Sequence, residues 1–163
     1  MTNNVNVERF SVTSSRSFDE VVAALKAAVG QPDMVEFRRA ISGARSFDEL
    51  QRIVNRGLGR SELMLFMELD LGAFIRKESG LATPNIVRLL IGNPLIMKEM
   101  AKHVPDAGSY APVTILIDER PDGVRLSYDT MASLLAPYRN AAALSVARSL
   151  DTKIEKLLRE CAG

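Results

Sequence analysis

Apolar positions along this chain recur with two different spacings, and each change of spacing marks an element. In NVNVERFSVTS, residues 4–14, Val5, Val7, Phe10 and Val12 alternate imperfectly with polar residues, which predicts a first strand with one buried face. Val21, Val22, Leu25, Ala28 and Val29 then follow the helical period, closed by Gly30. Met34, Phe37 and Ile41 repeat that spacing behind Pro32, and Leu50, Ile53, Val54 and Leu58 do so again. Helices are expected at about 17–29, 32–42 and 46–57. LMLFMELD, residues 63–70, is mostly apolar and of strand length, so a strand is expected over 62–69 before the short helical or looped stretch LGAFIRKESG. IVRLLIG, 86–92, lies between Pro84 and Gly92 and predicts another strand.

Asn93-Pro94 then opens a helix through LIMKEMAKH, because Asn caps well and Pro fits the first helical position. TILIDE (114–119) and VRLSYD (124–129) flank RPDG and predict a β-hairpin. A last helix at about 140–160 sets Ala147, Leu150, Ile154, Leu157, Leu158 and Cys161 on one face, with Lys153, Lys156, Arg159 and Glu160 off it. This order predicts one α+β domain over residues 1–163, a small, largely antiparallel sheet of about five strands packed against helices.

The pentapeptide RSFDE occurs twice, at 16–20 and 45–49. In both copies Ser stands three residues before Glu, the spacing of a capping box, and Asp19 and Asp48 favour the first turn of a helix. The 29-residue offset also sets Gly30 opposite Gly59 and Phe37 opposite Phe66. Beyond the glycines one copy leads to a helix and the other to a strand. RSFDE is thus read as helix punctuation used twice rather than as a duplicated unit.

Composition narrows the class of molecule. Hydrophobic residues make up 47% and charged residues 25%, a globular balance over 163 residues. Twenty-one basic against 20 acidic residues leave a net charge of +1, no global attraction to nucleic acid or an anionic membrane, and the absence of Trp leaves few stacking platforms. Cys161 is the only cysteine, so neither an internal disulfide nor a cysteine-cluster zinc site is expected. MTNNVNVERF lacks the basic and apolar regions of a signal peptide, and no apolar run has membrane-spanning length. The expectation is a cytoplasmic protein with no cofactor and no metal.

The stretch from Ile86 to Asp129 resembles the domain of unknown function 302 family. The residues that carry the resemblance are the strand ending in Gly92-Asn93-Pro94, the helix after it, Ala111-Pro112 before a strand, and Leu126-Ser127-Tyr128, strongest over 62–130. SFDEVVAALKAAV is similar to that family's opening helix. The resemblance covers most of 5–30 and 60–160 and implies a compact α+β unit with an antiparallel sheet, in which 31–60 stands as an extra helical pair. It implies no catalytic residues.

Four residues are candidates for a site. His103, the only histidine, extends the stripe Ile96, Met100, and reads either as a ring at the helix end or as a general base. Asp70 shares a strand face with Glu68, a carboxylate pair suited to acid/base work or to a solvated edge and helix cap. Asn93 reads as a cap or an anion contact, and Tyr128 as a packed ring or a hydroxyl in a cleft. GLGRSE, 57–62, lacks the lysine and spacing of a P-loop. Met34, Met64, Met67, Met97, Met100 and Met131 suit an irregular core or an adaptable apolar pocket. The pattern favours a non-catalytic module that binds a small apolar or amphipathic ligand or a protein partner, self-associating as a homodimer. The alternative is an enzyme using Asp70, His103 or Tyr128 for proton transfer on a small substrate.

Overall fold

The computed structural model describes residues 4–163. Five strands form one antiparallel sheet: β1 (Arg9–Ser14), β2 (Met64–Asp70), β3 (Ile86–Gly92), β4 (Val113–Arg120) and β5 (Gly123–Asp129), in the order β1-β5-β4-β3-β2. Seven helices accompany it among the described residues: α1 (Phe18–Ala28), α2 (Met34–Gly43), α3 (Phe47–Gly57), α4 (Gly72–Ser79), α5 (Pro94–Ala101), α6 (Met131–Leu135) and α7 (Ala141–Ala162). The α+β class and the antiparallel sheet expected from the hydrophobic pattern are both present.

Register makes one face of the sheet apolar. Phe10, Tyr128, Ile115 and Leu89 lie opposite one another across four strands, and Val12, Leu126, Ile117 and Val87 form the next row. Nearly all of these are buried in one core with Val21 and Leu25 of α1, Met100 of α5 and Ala147, Leu150, Ile154 and Leu158 of α7. The opposite face is largely open, with Ser11, Thr13, Arg88 and Thr114 exposed on it. Alternation with period two along each strand therefore chooses which face the helices cover.

The two RSFDE copies both cap helices, but differently. Ser17 Oγ accepts from Glu20 N and the Glu20 carboxylate accepts from Ser17 N at 2.9 Å, a complete capping box at α1. Ser46 Oγ accepts from Glu49 N, whereas the Glu49 carboxylate accepts from Arg45 N, one residue earlier. The glycines after the helices meet in space. Gly30 N and Gly59 N both donate to Leu63 O, and a Cβ on Gly59 would stand 2.3 Å from the carbonyl carbon of Val29. No side chain fits there.

Three expectations need correction. β1 starts at Arg9 rather than near Val5, and Val7 is exposed. Its ladder partner β5 ends at Asp129 opposite Arg9, and after one more backbone bond, Thr130 N to Glu8 O, Val5 and Val7 have no strand opposite them. α5 stops at Ala101, before His103. Pro105 biases Val104 towards extended backbone (φ −135°), so Val104 takes the buried position and His103 turns to solvent. α6 was not anticipated at all, and what starts it lies on α7.

Candidate functional site

An apolar cavity opens at one end of the sheet, where β3 hands over to α5. Gly92-Asn93-Pro94 makes this turn: Asn93 Oδ1 accepts from Leu95 N at 2.9 Å, and Pro94 occupies the first helical position. Asn93 Nδ2 donates to Glu62 O, tying the turn to the chain entering β2. Across the gap stands Ala111-Pro112, leading into β4. α5 contributes Ile96, Met97 and Met100, and Leu150 of α7 closes the back.

A β-bulge supplies the remaining wall. Register slips between Leu65 and Met67, leaving Phe66 unpaired with β3. The extra residue bends the strand and re-aims the ring towards Gly92 and Pro112, with Phe37 of α2 edge-on to it at 6.5 Å. Gly92 keeps the space open: a Cβ there would lie 3.3 Å from Pro112 Cβ and 3.7 Å from Phe66 Cε2. The result is a cavity of ≈ 110 Å³ with an almost wholly apolar lining and Asn93 at its mouth. Apolar cavities of about 150 Å³ stay dry and take up benzene, so this one suits a group of ring size or smaller.

Of the four candidate residues, only Asn93 borders this cavity. Asp70 ends the edge strand, where it accepts from Ala73 N at 3.0 Å to start α4 and pairs with Arg76 at 2.7 Å. The Arg76 guanidinium holds the Asp70 carboxyl below the usual range. Its strand neighbour Glu68 pairs with Lys26 of α1 at 2.6 Å. His103 is exposed beyond the end of α5. Tyr128 is buried on β5, with two strands between it and the edge strand that carries Asp70, about 14 Å over three strand spacings. The structure therefore does not bring Asp70, His103 and Tyr128 together.

Tyr128 instead belongs to a buried network. Its hydroxyl donates to Asp151 Oδ1 at 2.6 Å, and Asp151 also accepts from Met131 N at 2.7 Å and Ala132 N at 2.9 Å. Burial, then the charge and hydrogen bond of Asp151, push the Tyr128 hydroxyl far above its ordinary pKa. This carboxylate fastens α7 to the start of α6. Among the described residues no three His, Cys, Asp or Glu side chains form a metal-binding group, and no helix is long and apolar enough to cross a membrane.

Sequence reading had singled out Met97 and Met100 as possible pocket residues but missed Phe66 and Asp151. A bulge leaves no mark in a run as uniformly apolar as LMLFM, and the only signal for Asp151 was an acidic residue beside the buried stripe of the last helix.

The family described as "Domain of unknown function DUF302" matches residues 39–161. This range starts inside α2 and takes in all of α3, so much of the segment 31–60 falls within the match. No curated protein gives a significant match. Among solved structures, the crystal structure of an uncharacterized conserved DUF302 protein from Bacillus stearothermophilus superposes with a TM-score of 0.64 at 13% identity, covering 94% of this chain and 97% of that one. At that identity the likeness is one of fold.

Proposed function

Because the chain belongs to the DUF302 family, whose description supplies no reaction, we propose a function from geometry: it is a binding module that holds a small apolar or amphipathic molecule between α5 and the end of the sheet. The observation that supports this reading is the cavity itself, kept open by Gly92 and walled by Phe66, Met97, Met100 and Pro112. Methionine suits such a wall, since its unbranched, polarizable side chain adapts to the outline of the guest. Asn93 Nδ2 retains one N–H beyond its bond to Glu62 O, enough to orient a single polar group at the mouth.

Benzene and its close relatives are the probes for this. With the methionine methyls labelled, benzene should shift Met97 and Met100 saturably while Met34 and Met131, outside the cavity, stay put. Gly92→Ala should weaken the response by narrowing the cavity. Methyls that move linearly with benzene concentration, or equally in parent and variant, would count decisively against the reading.

Self-association is the second reading. Phe74 is 78% exposed and Leu81 65%, with Leu71 and Ile75 close by in sequence, all just past the edge strand β2. Apolar surface beside an unpaired strand edge favours burial by a second copy. Light scattering across a concentration series tests it: a dimer is expected, and a species of 17.9 kDa at every concentration would refute it.

A further inference from the structure

On the side of the sheet away from the helices, register sorts the outward side chains into two halves. Leu69, Arg88 and Leu116 stand in one cross-strand row, continued on β5 and β1 by Ser127 and Ser11. The adjacent row runs Met67, Leu90 and Thr114. Asp129 and Arg9 face each other at the same end of β5 and β1. The half towards β2 is thus mostly apolar and the half towards β1 polar.

Arg88 breaks this division. It stands on β3 between two leucines, and its guanidinium donates to Thr114 Oγ1 at 3.2 Å. Among the described residues it makes no ion pair with a carboxylate. The other charges nearby cancel, because Arg9 grips both oxygens of Asp129, at 2.6 and 2.9 Å. The segment Ser109–Val113 and Leu134 of α6 wall in a cleft of ≈ 560 Å³ over Leu90 and Leu116, and Arg88 lines it. One uncompensated positive charge therefore sits on the apolar floor of a concave site.

We propose that this cleft binds an amphipathic anion, an oxyanion head on a short apolar body, with Arg88 as the counter-ion. A guanidinium carries five N–H donors in a planar fork, and Thr114 uses one, so two parallel donors remain for a carboxylate or a phosphate monoester. The leucine floor has no donors to offer and gains by covering apolar surface, which a chain of alkyl carbons supplies. A strand interior also fixes Arg88 at its base, so less freedom is lost on binding than for an arginine on a loop. The cleft shares the wall Ala111–Val113 with the cavity beside α5 but not its floor, and that cavity lies at the helix-covered face and carries no charged residue in its lining.

Octanoate, octyl phosphate and octanol, titrated into the full chain and followed by amide chemical shifts, test this directly. The two anions should shift the amides of Leu90, Ser109, Tyr110, Thr114, Leu116 and Leu134, which line only this cleft, saturably, with octanol bound at least about tenfold more weakly because it lacks the charge-assisted pair. Arg88→Gln should weaken the better anion by about tenfold or more. Arg148→Gln, exposed on α7 away from the cleft, should not. Whichever of octanoate and octyl phosphate binds more tightly identifies the head group. Equal binding of octanol and the anions would overturn the proposal, as would unchanged affinity in Arg88→Gln or shifts confined to the residues around Met97. It would equally fall if the cleft amides were protected by a dimer that anions fail to displace.

Discussion

Removing the Tyr128 hydroxyl should reveal how firmly one buried carboxylate ties the last helix to the sheet. Tyr128→Phe keeps the ring, which is 1% exposed, and deletes only the oxygen that donates to Asp151 at 2.6 Å. A hydrogen bond to a charged group contributes about 1.5–3 kcal/mol, and Asp151 would keep its two backbone donors, so a loss of about 2 kcal/mol is expected. For a domain of this size that is roughly 4–8 °C in Tm. Asp151→Ala is the harsher change. The Tyr128 hydroxyl and Ala132 N would lose their acceptor at about 1–3 kcal/mol each, and Met131 N would keep only its longer bond to the Tyr128 hydroxyl at 3.2 Å, so the cost is on the order of 3–5 kcal/mol. Chemical denaturation of the parent, both single variants and the double variant closes the cycle. The double variant should cost less than the sum of the singles by about 1 kcal/mol or more. A Tyr128→Phe protein that unfolds with the parent, or a cycle that is strictly additive, would refute the reasoning. The same network predicts an alkaline limit. The folded-state pKa of Tyr128 lies above its unfolded value, so below about pH 10 it adds no pH dependence. Above that the unfolded state ionises first and stability falls, a fall that Tyr128→Phe should lessen.

The glycines make a sharper contrast. Gly59→Ala would drive a Cβ to 2.3 Å from backbone, and soluble folded protein should be lost, whereas Gly43→Ala at the end of α2 meets nothing within 4 Å and should stabilise by about 0.5–1 kcal/mol. Thermal melts of both variants decide this, and a well-folded Gly59→Ala would contradict the contact. At the helix caps, Ser17→Ala and Ser46→Ala should each cost on the order of 1 kcal/mol in denaturant titrations. Ser17→Ala should cost more, since Ser17 Oγ also donates to Glu20 and completes a reciprocal box that Ser46 lacks. Equal melting of both variants and the parent would show that these exposed caps contribute nothing.

The sequence determined what is local. Ser-x-x-Glu placed α1 and α3, Gly-Asn-Pro placed the start of α5, and Pro-Asp-Gly placed the β4–β5 hairpin, because caps and turns are satisfied within a few residues. Alternation along β3, β4 and β5 likewise decided which face the helices cover, since period two leaves no other choice once one face is apolar. The tertiary structure decided whatever needed two distant segments. α6 has no side-chain cap of its own: its first N–H groups are held by Asp151, twenty residues along the chain, so nothing near Met131 could announce it. The Phe66 bulge exists relative to β3, and a single strand carries no record of its register. Asp70 and Tyr128 looked like free chemistry because their partners, Arg76 and Asp151, are brought to them by folding. The two concave sites arise from the same cause. Gly92 and Pro112 are distant in sequence, as are Arg88 and Leu116, and only the pairing of β3 with β4 brings either pair together to line a site.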